Sequence, residues 1–208
     1  MSTAREAILS RIRDALGERD PAAPPVETGN IRPAFEGDRV SRFVNKLTAA
    51  AAGLTRVTEL AAVPPAVDAY LREHSLPPAL VVAEEPPLSE LPWPDGWDLA
   101  HRAARGEDRV SLTGAFAAIG ETGSLVMLSG PGHPTTLNFL PDDHLVVLRE
   151  QKVVAHMEDV WALLRERPGG MPRTVNIITG PSRTADVEQT IQLGAHGPRR
   201  LHVFLVAE

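Results

Sequence analysis

Residues 111–128 read SLTGAFAAIGETGSLVML. Two small-residue, β-rich runs flank a Gly-Glu-Thr-Gly turn, and neither run alternates strictly between apolar and polar positions. That texture predicts strands covered on both faces, as in a buried sheet. Working outward, ALVVA (79–83), HLVVL (144–148), TVNIIT (174–179) and LHVFLVA (201–207) read as further apolar strands, with TRVTEL (55–60) and WDLA (97–100) as shorter ones. Helical spacing separates several of them. Val40, Phe43, Val44, Leu47, Ala51 and Leu54 mark one helix, Val67, Tyr70 and Leu71 a weaker one, and Val153, Val154, Met157, Val160, Trp161 and Leu164 another that stops near Pro168 and Gly169. GPSRTADVEQTIQLG reads as a loop entering a further helix. Strands that alternate with helices imply a mostly parallel sheet flanked by helices, because each crossover lays a helix on a face.

The N-terminal part has a different texture. Thr3 and Glu6 have capping-box spacing, and Ile8, Leu9, Ile12, Ala15 and Leu16 recur at helical intervals up to Gly17. Four prolines then punctuate RDPAAPPVETGNIRP. The expected organisation is an amphipathic helical arm over 1–17, a proline-rich tether over 18–34 and an α/β domain over 35–208.

Bulk composition excludes several function classes. The 208 residues are 43% hydrophobic, enough for a core without staples. With no cysteine, the chain can form no disulfide, thiolate nucleophile or Cys-ligated zinc or iron–sulfur site. The formal charge of −6 and the dispersed basic residues argue against a nucleic-acid partner. Charge interleaved through the first helix is unlike a signal peptide, and no apolar run reaches bilayer length, so no membrane span and a cytoplasmic location are expected. The scattered histidines suggest no metal site.

Three polar segments are candidates for chemistry. In TVNIITGPSRTADVE, a helix directly after a strand would present unpaired N–H groups to a small carboxylate or phosphate. Gly180 would allow close approach, Ser182 and Thr184 would donate, Arg183 would pair with the anion, and Asp186 would complement the helix dipole. The same spacing also suits a simple cap, with Arg183 in solvent. In AAIGETGSLVML, Gly120, Thr122, Gly123 and Ser124 are candidate anion- or substrate-binding positions around Glu121, a general-base or nucleophile candidate if desolvated; a solvated hairpin turn is the alternative. In SGPGHPTTLNFLP, His133 and Asn138 would form a pocket wall.

GETGSLVMLS together with GPSRTADVEQTIQLGAHGPRRLHVFLV resembles the C-terminal half of LUD-domain proteins, in particular the lactate utilization protein C (LutC) type, over roughly residues 113–206. The resemblance implies an α/β fold of the sugar-phosphate isomerase and CoA-transferase-like (NagB/RpiA/CoA-transferase-like) group. It also implies a cluster-free subunit that holds no cofactor and works beside LutA- and LutB-like partners. Those partners would carry the iron–sulfur clusters of a system that oxidises L-lactate to pyruvate. The resemblance assigns no site residue; within such a system the strand-loop-helix spacing read above would have Arg183 and its helix end hold the substrate carboxylate. Two other readings remain open at this point. One is a stand-alone isomerase- or transferase-like enzyme that acts through Glu121 on small phosphorylated or acyl substrates. The other is a metabolite-sensing or assembly module docked through the first helix.

Overall fold

The computed structural model describes residues 3–16, 34–184, 192–193 and 196–208. The chain divides into two compact units, Met1–Pro33 and Ala34–Glu208. The first contains helix α1 (Ala4–Leu16). Its start is the reciprocal box expected from the spacing: Thr3 N–H donates to Glu6 Oε2 at 2.7 Å and Glu6 N–H to Thr3 Oγ1 at 3.4 Å.

The second unit opens with α2 (Arg39–Ala49), where Asp38 caps the helix by accepting from Ser41 N–H at 2.8 Å. The strand β1 (Gly53–Val57) and helix α3 (Val63–Glu73) follow, with Pro64 and Pro65 in the first turn of α3, where no backbone donor is lost. Then come β2 (Ala79–Val82), β3 (Asp98–Ala100), β4 (Val110–Gly114), β5 (Ala117–Ile119), β6 (Ser124–Leu128) and β7 (Asp143–Arg149). The chain continues through β8 (Val153–Val154), α4 (Met157–Glu166), β9 (Val175–Ile178), β10 (Arg183–Thr184), β11 (Gln192–Leu193) and β12 (Arg200–Val206).

Six strands form one sheet in the order β1-β12-β7-β4-β2-β3, and every pairing in it is parallel. Side chains alternate between its two covered faces, so apolar runs are continuous along the central strands. On one face Leu145, Val147 and Phe204 join Leu112, Leu80 and the α3 residues Val67 and Leu71. On the other, Val146, Leu148, Val203 and Leu205 pack with Phe43 and Leu47 of α2.

That second face is also covered by a four-stranded mixed sheet, β8-β5-β6-β9, through Leu125 and Met127. The stretch 111–128 therefore crosses between sheets: β4 belongs to the parallel sheet, while β5 and β6 form an antiparallel hairpin in the other. Helix α4 closes the outer side of the small sheet, with Val160 and Leu164 against Ala117, Ile119 and Val126.

Three boundaries differ from the sequence reading. Val153 and Val154 form a strand paired in parallel with Ala118 and Ile119, because two β-branched residues fit a pleated edge better than a first helical turn. Leu54 lies in β1, since Ala51 adopts a left-handed φ of 64° that ends α2. Arg183–Thr184 pairs antiparallel with Gln192–Leu193 and so belongs to a strand rather than to a helix start. The remainder of the expected helix, including Asp186, lies outside the described residues.

Candidate functional site

Adjacent parallel strands whose onward connections run in opposite directions leave a crevice at their carboxyl ends, the usual ligand position in open α/β sheets. β2 and β4 are such a pair, since β2 leads outward to β3 while β4 leads toward β7. A cleft of about 350 Å³ opens there, lined by Glu84 and Glu85 after β2, Gly114 and Ala115 at the end of β4, and Arg149 and Lys152 at the end of β7. The 129–133 segment and Arg167 complete its wall. Gly132 is required for this closure: its carbonyl accepts from Glu84 N–H at 2.7 Å, and a Cβ on Gly132 would meet Glu84 O at 2.1 Å.

The cleft carries separated charges. His133 is buried; its Nδ1 lies 3.0 Å from Glu85 Oε1 and its Nε2 lies 3.0 Å from Asn138 Oδ1. Burial opposes the imidazolium, but these two acceptors outweigh it and raise the His133 pKa above the ordinary histidine value. Across the cleft Lys152 donates to Ala115 O at 3.2 Å. Its side chain is solvent-accessible as a whole, yet partial desolvation of the ammonium holds its pKa down; Glu85 opposes that shift and Arg149 reinforces it. The arrangement offers a basic edge that can hold a small anion and a His-Glu pair that can exchange a proton beside it.

Of the residues singled out in the sequence, only His133 lines this cleft, and Asn138 supports it from behind. The Gly-Glu-Thr-Gly turn lies elsewhere, packed between helices. A Cβ on Gly123, at φ 72°, would meet Leu47 N at 2.5 Å, and one on Gly120 would meet the Phe35 ring and Arg39 O at 3.0 Å. Glu121 accepts from Met157 N–H at 3.0 Å and lies 2.8 Å from His156 Nδ1, so it satisfies the start of α4. The His156 hydrogen bond, with the Met157 amide and despite partial burial, holds its carboxyl below the usual carboxylate range. That is the wrong direction for a general base at neutral pH. Thr122 Oγ1, Ser124 Oγ and Thr179 Oγ1 form a hydroxyl chain at 2.7 and 2.6 Å that joins the turn to β9. Glu121, His156 and Glu158 bring ligand-type atoms within 4.8 Å of one another, the one such group among the described residues.

The Gly180–Arg183 segment also turns toward α2. A Cβ on Gly180, at φ 78°, would meet Ala50 O at 2.4 Å, and Arg183 donates from Nη2 to Ala50 O at 2.7 Å. Arg183 thus satisfies a carbonyl at the end of α2. Ser182 lines a second, smaller cavity together with Gly180 and Asn138, and Thr184 is described only as part of its strand. Sequence reasoning missed Glu84, Glu85, Arg149 and Lys152. A usable signal was present, since AEEPP follows ALVV and REQK follows HLVVL, placing charge directly after the carboxyl ends of buried strands.

The opposite, amino end of the sheet holds a different polar cluster. Asp143, fully buried, accepts from Tyr70 Oη at 2.6 Å and from Arg200 Nε and Nη2 at 2.5 and 2.7 Å. Burial and the Asp143 charge raise the Tyr70 pKa well above its ordinary value, and the same carboxylate raises that of Arg200. This set ties α3, β7 and β12 together.

Among known proteins, the chain is 36% identical over 129 residues to lactate utilization protein C of Deinococcus radiodurans, an alignment covering 61% of this chain and 54% of that protein. It is 34% identical over 119 residues to lactate utilization protein C of an Exiguobacterium species, covering 54% and 52%. The chain spans about half the length of these curated relatives. The crystal structure of a DUF162 family protein from Deinococcus radiodurans superposes with a TM-score of 0.59 at 24% identity, covering 82% of this chain and 99% of that one, which shows the same fold. The family model of the LUD domain matches residues 102–206, a span that runs from the loop before β4 through β12 and includes the β4, β7 and 129–133 walls of the cleft. The chain belongs to the LUD domain family.

Proposed function

We propose that this protein serves lactate utilization by holding a small 2-hydroxy carboxylate in the cleft at the carboxyl ends of β2, β4 and β7. The observation that carries this reading is the pairing, in one crevice, of a basic edge (Arg149 and Lys152) with the His133–Glu85 pair. The names of the relatives supply the substrate class. In this reading the carboxylate lies on Lys152 and Arg149, and the 2-hydroxyl faces Glu85, whose carboxylate, held by His133, takes its proton as the alcohol becomes a ketone. Conversion of L-lactate to pyruvate also releases a second proton and two electrons. The C2–H bond must break as well, and with no cysteine to hold an iron–sulfur cluster this chain takes neither that hydrogen nor the electrons: the second proton and both electrons leave to the redox centres of LutA- and LutB-like partners, to which this chain presents the bound substrate.

The reading places the anion at the basic edge of the cleft rather than at Arg183, whose guanidinium is engaged with the end of α2. It also disfavours a stand-alone enzyme built on Glu121, because that carboxylate is acidified and committed to α4. Calorimetric titration of the full chain with L-lactate and pyruvate tests the proposal. Lys152→Met and Arg149→Met should each weaken binding by about 1.5–3 kcal/mol, as expected for a charge-assisted hydrogen bond, while Arg183→Met should leave it unchanged. Equal affinity in all three variants would remove the cleft from substrate binding. L-lactate-dependent dye reduction by material co-purified with this chain tests the partner arm separately.

A further inference from the structure

Next to the cleft, and separated from it by the His133–Asn138 pair, a second cavity of about 240 Å³ lies between the Thr135–Asn138 turn, β7, β9 and the 196–198 loop. Two side chains in its wall are buried and only half satisfied. Asn138 is 1% exposed; its Oδ1 is paired with His133, and its Nδ2 has no partner among the described residues. His144 is 0% exposed; its Nε2 lies 2.8 Å from Thr113 Oγ1, and its Nδ1 likewise has no partner among them. Whichever way the amide is turned, one polar atom of Asn138 meets His133 and the other is left over. A buried polar atom without a partner is costly, and here two lie in the wall of one cavity.

The rest of the wall sets the ligand class. Among the described residues no Asp, Glu, Lys or Arg lines this cavity; His196 and Ser182 add polar groups to its wall, and Ile177, Phe139 and Leu201 supply an apolar surface. A charged ligand would be desolvated with no permanent counter-charge among those side chains, so they favour a neutral one. His144 reinforces this, because burial keeps its ring neutral. The volume falls below the roughly 300 Å³ at which pockets for drug-sized ligands begin, which limits the occupant to a fragment.

We infer that this cavity is a second ligand site, distinct from the anion cleft, for a small neutral molecule that presents a paired donor and acceptor, such as a primary amide, on an apolar body. Asn138 and His144, almost wholly buried at the back of the wall, turn to meet the amide, and its body lies on Ile177 and Phe139. The inference does not depend on what the larger cleft binds.

Benzamide is a direct probe and benzoate its charged counterpart of the same shape. With the isotopically labelled full chain, benzamide should produce saturable shifts in the Asn138 side-chain amide and His144 ring resonances, and benzoate should bind roughly tenfold more weakly or not at all. Ile177→Trp fills the cavity from its exposed edge while keeping the β9 backbone pairing with β6, and should lower benzamide affinity by roughly tenfold or more at an unchanged urea midpoint. Asn138→Leu should lower the affinity likewise, but with a lower urea midpoint because buried His133 loses a partner. Absence of saturable benzamide shifts at millimolar concentration would overturn the inference, as would equal binding of benzoate or undiminished binding by a folded Ile177→Trp protein.

Discussion

Replacing His144 with leucine should flatten the acid limb of the stability curve. His144 is completely buried on β7, and desolvation, reinforced by the nearby charge of His133, pushes its pKa down to about 3. In the unfolded chain the same ring titrates near its ordinary value of about 6.5. Between those two values the unfolded state binds a proton that the folded state refuses, so stability is full above about pH 6.5 and declines as pH falls toward 3. The slope is about 1.4 kcal/mol per pH unit, which makes the loss between pH 7.5 and pH 5 about 2 kcal/mol from this residue alone. His202, whose pKa burial lowers to about 4, acts in the same direction, while His133, with its pKa raised, contributes stability below about pH 6.5 and opposes both. The variant comparison isolates one residue from that sum. Urea unfolding followed by far-ultraviolet circular dichroism at pH 7.5, 6.5, 5.5 and 5.0 provides the measurement. His144→Leu should start about 1–3 kcal/mol lower at pH 7.5, because Thr113 loses its partner. It should then lose about 2 kcal/mol less than the parent on going to pH 5. Parallel curves for the two proteins would refute the buried neutral imidazole.

Asp143→Asn should cost about 3–5 kcal/mol in urea unfolding, because it leaves Arg200 and Tyr70 facing a buried site without its charge; Tyr70→Phe should cost nearer 1 kcal/mol. Gly132→Ala forces Glu84 to move and should weaken L-lactate binding in calorimetry more than it lowers the thermal midpoint, since the Cβ clash lies at the cleft wall. Glu121→Gln should destabilise by about 1–2 kcal/mol at pH 7 with ligand affinity unchanged. Because the Glu121 pKa is lowered on folding, that difference should be present above about pH 4.5 and vanish as pH falls through the folded value, read from paired unfolding curves.

The strands were the most legible part of the chain. ALVV, HLVVL and LHVFLV are buried on both faces, so their apolar runs are unbroken and could hardly be anything else. The Thr3–Glu6 cap was equally plain, because it depends on two residues and a fixed spacing. The second sheet was not legible: β5 and β6 continue the small, buried texture of β4, and only Gly114–Phe116, where the chain leaves one sheet for the other, marks the change. The site was partly legible. His133 could be named from its polar loop, but the cleft's charged walls come from segments more than sixty residues apart in sequence that meet only through the strand order. Conversely, Arg183 and Glu121 look available in a linear reading because their partners, Ala50 and Met157, are remote in sequence.

The position of β12 bears on synthesis. It sits between β1 and β7, so residues 53–57 pair with residues 202–206 and with no other strand of that sheet. During translation β1 therefore emerges long before its neighbour exists, and its unpaired backbone must wait through roughly 145 further residues, or on the order of ten seconds or more at the rate of chain growth. The parallel sheet can nucleate from β2, β4 and β7, yet the final register is locked only when one strand slides in between two already present. Loss of β12 would expose two strand edges at once, the kind of surface that templates aggregation.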